Sequence, residues 1–178
     1  MTWLIKELKL LLGGRFQTAW CRPSTVGYVI LAKKLCEDLM KFPFPLEIAL
    51  IDDEPDIVEM TNMAVSRFEE FTPLCFNDAG EALKVIEERK IRVIFTDLLM
   101  PGIDGQDIID QCKNFSWNTD IIVMTGIANI ERAFKCFDSG AWEVLLKPVD
   151  LSRISAALNR VVDRYKLWHE TCDKLGME

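Results

Sequence analysis

Residues 48–59 read Ile-Ala-Leu-Ile-Asp-Asp-Glu-Pro-Asp-Ile-Val-Glu, an apolar run that stops abruptly on Asp52, Asp53 and Glu54 before a proline. The run has the length of a buried strand. Beyond it Ile57, Met60, Ala64 and Phe68 return at helical spacing, which predicts a helix over residues 56–71. Strand then helix is thus the first unit, and the same alternation repeats toward the C-terminus. Strands are predicted at 73–76, 93–95, 121–124 and 144–146, and helices at 79–88, 106–113, 130–139 and from 151 onward. The runs are continuously apolar rather than alternating, so both faces of each strand are buried. In a β-α repeat this means a parallel sheet with helices on either side. The functional crevice of such a sheet lies beyond the carboxyl ends of its strands.

Four strand ends carry chemistry. The first ends in Asp52-Asp53-Glu54, the third in Thr96-Asp97, the fourth in Thr125-Gly126 and the fifth in Lys147-Pro148. Asp52, Asp53 and Asp97 on one sheet edge would repel one another unless a hard divalent cation bound them, and carboxylate oxygens with water are the ligands Mg²⁺ prefers. With a cation screening two carboxylates, the third can attack an electrophilic phosphorus. Asp97, on the central strand, is the candidate nucleophile. Lys147 and the Thr125 hydroxyl are the candidate partners for phosphoryl oxygens. Taken singly, each aspartate could equally be a helix cap or a solvated turn residue; the four strand ends together carry the reading.

The rest of the chain bounds this reading. Its 178 residues suit one ordinary domain with extensions, and a net charge of −7 argues against direct nucleic-acid binding, which needs a lysine and arginine excess. Six scattered cysteines with no C-x-x-C pair read as reduced thiols, and the single histidine, His169, excludes a multi-histidine metal site. Phe42-Pro43-Phe44-Pro45 bars helix and marks a boundary. The apolar stretches at 3–12 and 26–40 are interrupted by Lys6, Glu7, Lys9, Lys33 and Lys34, which leaves neither a membrane span nor a secretory signal and predicts a cytoplasmic protein. Residues 1–45 are either a short helical adaptor or an overlong start, with Met40 a candidate later beginning. At the other end Ile154, Leu158, Val161, Tyr165, Trp168, Cys172 and Leu175 form an a/d seam. Either the helix packs on the sheet as far as Val161 and then frays, or it protrudes as a homodimerisation or signalling helix, with Phe134, Phe137 and Trp142 as further contacts. The resulting division is an extension over 1–45, a domain over 46–164 and a helical continuation over 165–178.

Four segments, IALIDDEPDIVE (48–59), IFTDLLMPGIDG (94–105), VMTG (123–126) and GAWEVLLKP (140–148), resemble the receiver domain of two-component response regulators. The resemblance covers about residues 46–164. It implies a flavodoxin-like, doubly wound sheet of five strands in the order 2-1-3-4-5. It further implies phosphorylation of Asp97 by a histidine kinase or phosphotransfer protein, with Mg²⁺ held by Asp52, Asp53, Asp97 and the backbone carbonyl of Leu99. Lys147-Pro148 is expected to be a cis bond. No effector domain is evident, so output is expected through contact with an unidentified protein or by relay to another histidine protein.

The chain departs from the family in three places. The position three before the lysine, usually Tyr or Phe, is Val144; if the strand has begun by Trp142, strand parity makes that residue the candidate replacement, the alternative being a plain surface or interface tryptophan. The residues two beyond Asp97 and two beyond Thr125 are Leu99 and Ile127, neither able to orient a water, which predicts slow loss of the phosphoryl group. Leu99 also stands where a phosphoaspartate-type hydrolase carries its second aspartate, which disfavours that alternative. A pseudo-receiver scaffold would be expected to lack Asp53, Asp97 or Lys147, and all are present.

Overall fold

Long apolar runs and well-signalled helix starts build the architecture. The computed structural model describes residues 44–115, 117–126 and 130–174. In them strands and helices alternate as β1 (Leu46–Ile51), α1 (Pro55–Val65), β2 (Phe71–Phe76), α2 (Ala79–Arg89), β3 (Val93–Asp97), α3 (Gly105–Cys112), β4 (Asp120–Thr125), α4 (Ile130–Ser139), β5 (Glu143–Leu146) and α5 (Leu151–Lys174). The strands form one sheet in the order β2-β1-β3-β4-β5, and every neighbouring pair is parallel. This is the predicted order. The chain reverses its direction of travel across the sheet between β1 and β3, so the crevice falls at their carboxyl ends.

The central strands are apolar on both faces. All of β3 and β4 is buried, and so is β1 except Glu47. On one face Ile51, Ile94, Ile121 and Val123 meet Leu83 and Ile86 of α2 and Ile108 and Ile109 of α3. Each such side chain contributes roughly 1.5–3 kcal/mol by leaving water. Pro73, which has no amide to donate, sits on the edge strand β2, where an unpaired side of the strand tolerates it.

Local signals fix where the helices begin. Pro55 opens α1 at a position whose amide has no intrahelical partner. The Asp78 side chain accepts from the Glu81 amide at 2.7 Å to start α2, and Lys90, in the left-handed region at φ 57°, ends it. A reciprocal capping box between Asp104 and Asp107 starts α3.

The predicted first helix over 56–71 stops at Val65 instead. Amides of Ser66, Arg67 and Phe68 close tight turns onto Asn62, Ala64 and Val65, and Phe71 already belongs to β2. Phe68 keeps the helical spacing from Ala64, but its ring packs on Phe71 at 6.2 Å in the turn. A side chain needed beneath a turn thus imitates a helical face. The last helix shows no fraying after Val161: α5 continues to Lys174.

The chain divides into two compact units, Phe44–Val161 and Met1–Pro43 with Val162–Glu178. Of the second unit, residues 162–174 are described. Tyr165 and Trp168 there are buried, so this part of the a/d seam is not an open face, and Val162 beside them is buried too. His169 is half-buried. The extension over 1–43, Met40, Cys21, Cys36, Ile127 and Leu175 lie outside the described residues, as does the side chain of Cys172. No helix among the described residues is long and apolar enough to cross a membrane.

Candidate functional site

Asp52, one residue past β1, and Asp97, the last residue of β3, lie side by side because their strands pair in parallel, Ile51 opposite Thr96. Both are buried. Lys147, directly after β5, reaches them: its Nζ lies 2.8 Å from Asp52 Oδ2 and 2.9 Å from Asp97 Oδ1, with Glu54 Oε1 at 4.0 Å. The lysine therefore bridges two buried carboxylates. Their other oxygens are held by backbone, since the Glu54 amide donates to Asp52 Oδ1 at 3.0 Å and the Leu99 amide to Asp97 Oδ2 at 2.9 Å. The Asn77 side-chain amide donates to the Asp52 carbonyl at 3.0 Å and so ties the β2–α2 connection to the site.

These contacts set the charge states. Burial pushes the Asp52 carboxyl up and the neighbouring Asp97 charge adds to this, against the hydrogen bonds from Lys147 and the Glu54 amide. For Lys147 burial works downward, and the bonds to Asp52 and Asp97 outweigh it. The ammonium is held above the ordinary lysine range. Two carboxylates against one ammonium leave the buried cluster with an excess of negative charge whenever both acids are ionised.

The remaining predicted residues stand nearby with varied roles. Thr125 ends β4 and is buried, and its carbonyl accepts from the Lys147 amide at 2.8 Å, which joins the ends of β4 and β5. Lys147-Pro148 is cis, as the resemblance implied. Asp53 is exposed beside Asp52 and makes no third member of the cluster, and among the described residues no three acidic, cysteine or histidine side chains converge closely enough to hold a metal ion. The residues present nevertheless fit Mg²⁺. Asp52 Oδ2 and Asp97 Oδ1 share one cation already, the lysine ammonium, and both are hard oxygen donors. Leu99, whose carbonyl was the fourth expected ligand, turns its amide to Asp97 and is itself 43 % exposed.

Sequence reasoning missed two contacts behind the carboxylate. Thr96 is fully buried and its hydroxyl donates to the Asp97 carbonyl at 2.9 Å. Gly105, at the start of α3, lies so close that a Cβ there would stand 2.3 Å from that same carbonyl oxygen and 2.9 Å from the Leu98 Cα. The glycine was visible within the turn sequence that follows Asp97, but its reason, a close approach of backbones, was not. As for the aromatic position, Val144 packs against the core beneath the sheet, while β5 begins at Glu143, one residue after Trp142. The Trp142 amide still donates to the Ile121 carbonyl at 2.7 Å. Parity within the strand therefore gives no support to Trp142 as the replacement.

Comparison with known proteins fits this geometry. A family model described as the response regulator receiver domain matches residues 48–159. A receiver domain protein from Clostridium thermocellum is 30% identical with a TM-score of 0.63, covering 68% of this chain and 98% of its own. Regulatory protein AtoC of Escherichia coli strain K12 is 27% identical over 115 residues, 65% of this chain and 25% of its own length. The response regulator DctR of Priestia megaterium, described as probable for C4-dicarboxylate, is 27% identical over 114 residues, 64% and 50%. The chain thus spans a quarter to a half of these two regulators.

Proposed function

Because the chain belongs to the response regulator receiver family, we propose that it accepts a phosphoryl group on Asp97 and signals by protein contact. The observation that carries this reading is the buried Asp52–Lys147–Asp97 cluster at the carboxyl ends of β1, β3 and β5. An Asp97 oxygen bonds phosphorus while the P–N bond of a phosphohistidine in a histidine kinase or phosphotransfer protein breaks, the imidazole keeping the electron pair. Lys147, already on Asp97 Oδ1, neutralises the added charge, and the Thr125 hydroxyl is the proposed second partner of the phosphoryl oxygens. Asp52, Asp53, Asp97 and the Leu99 carbonyl are the proposed holders of Mg²⁺, which when bound neutralises the carboxylates and polarises the phosphoryl group.

The apolar, exposed Leu99, two residues beyond Asp97, supports slow hydrolysis, since its side chain cannot orient an attacking water. The same residue disfavours a hydrolase. Residues 46–164 are the proposed receiver, and 1–45 and 165–178 its extensions. A cytoplasmic location goes with this assignment. Any pairing of two copies through α5 has to use residues other than Val162, Tyr165 and Trp168, which are already buried. The test is intact mass after incubation with acetyl phosphate and Mg²⁺. One added phosphoryl group in the wild type and none in Asp97→Asn is expected, and an unmodified wild type would leave a pseudo-receiver scaffold as the better account.

A further inference from the structure

We propose that Thr96 and Gly105 are positioning residues that set the aim of the Asp97 carboxylate by gripping the carbonyl on the other side of its Cα. The inference rests on Asp97 being the phosphoacceptor. Asp97 ends its strand, so beyond it the ladder no longer fixes the chain on every side: the Leu98 amide still donates to the Met124 carbonyl at 3.0 Å, while the Leu99 amide has turned away to the Asp97 side chain. The peptide between Asp97 and Leu98 fixes one side of the Cα from which the carboxylate projects, and its N–H is held by Met124.

The carbonyl of that peptide is confined from two further directions. The Thr96 hydroxyl, with no solvent access, donates 2.9 Å to the Asp97 carbonyl. Against the same oxygen lies the backbone of Gly105, where an added Cβ would stand at 2.3 Å from the oxygen and 3.2 Å from the carbonyl carbon. Gly105 is itself anchored, since its amide donates to the Leu98 carbonyl at 3.1 Å and the Asp104–Asp107 capping box fixes the first turn of α3. A capped helix start thus leaves no room for a side chain beside the acceptor's peptide, and a buried hydroxyl holds the carbonyl of that peptide.

A small error in aim is costly because an in-line attack on phosphorus tolerates little misplacement. The test is the rate of phosphorylation by acetyl phosphate over a range of donor concentrations at saturating Mg²⁺, in wild type, Thr96→Val and Thr96→Ser, with Mg²⁺ affinity measured separately by calorimetry. Valine matches threonine in shape but not in hydroxyl, so the maximal rate should fall about fivefold to tenfold, the scale of one buried hydrogen bond. The half-saturating donor concentration and the Mg²⁺ affinity should stay within about twofold. Serine should restore the rate. Equal rates in wild type and Thr96→Val, or a loss that serine fails to restore, would overturn the proposal. A wild type that takes no phosphoryl group at all overturns instead the assignment of Asp97. Should the valine variant not fold, Thr96→Cys, of similar size and with only a weak donor, gives the same comparison.

Discussion

Lys147 touches both buried carboxylates, and its removal takes away the ammonium they share. Breaking one partner from a buried ion pair costs about 3–5 kcal/mol in a dry interior. At this half-buried lysine, roughly 2–3 kcal/mol of destabilisation is expected for Lys147→Met, as urea denaturation without metal measures it. A divalent cation can take over the lysine's role, so saturating Mg²⁺ should raise the stability of Lys147→Met more than that of the wild type, in which the ammonium competes for the same oxygens. An equal gain in both proteins would contradict this. Asp52, Asp97, Thr125 and Lys147 were legible in the sequence because each stands at the end of a strand, and strand ends can be read from where an apolar run stops. Their engagement was not: Lys147 was expected to wait for phosphoryl oxygens, whereas it holds Asp52 as closely as Asp97. Asp53 shows the other limit, since the sequence alone could not say that Asp52 is buried while Asp53 beside it is exposed.

At the scale of elements, the turn from β3 into α3 ties the acceptor to the helix that follows it. Asp104 accepts from the Asp107 amide at 2.9 Å while the Asp104 amide donates to the Asp107 side chain at 3.1 Å. Replacing Asp104 with Ala should cost about 1 kcal/mol and speed hydrogen exchange first in α3; unchanged exchange there would show the cap to be dispensable. Gly105→Ala should cost more, about 1–3 kcal/mol by thermal melting, because the added carbon has only backbone to push against. A neutral effect would mean that the helix start can shift freely. Boundaries were the least legible features at this scale. The first helix overran its true end because Phe68 and Phe71 extend its apolar periodicity into a turn and an edge strand. The reach of α5 was better signalled, since the apolar repeat that predicted a long helix continues through Tyr165 and Trp168, both buried.

For the whole molecule, the sheet order follows from the repeat of β-α units together with the resemblance; periodicity alone supplied the parallel sheet but not the reversal between β1 and β3. Phe95, fully buried in the central strand, is the largest side chain at the sheet's middle. Phe95→Ala should destabilise the fold by about 3–5 kcal/mol in urea denaturation, against under about 1 kcal/mol for Phe134→Ala, a residue 65 % exposed on α4. Similar losses at the two sites would contradict the placement of the core. The fold exists here to bring the ends of β1, β3 and β5 to one crevice, and the central claim is that chemistry occurs at one carboxylate within it. Its most direct test is to treat the phosphorylated protein with borohydride, which reduces an acyl phosphate to the alcohol, and to map the modified residue by peptide mass spectrometry. Homoserine at position 97 alone is the predicted result; homoserine at 52 or 53, or no reduced residue in a protein carrying phosphoryl, would contradict it.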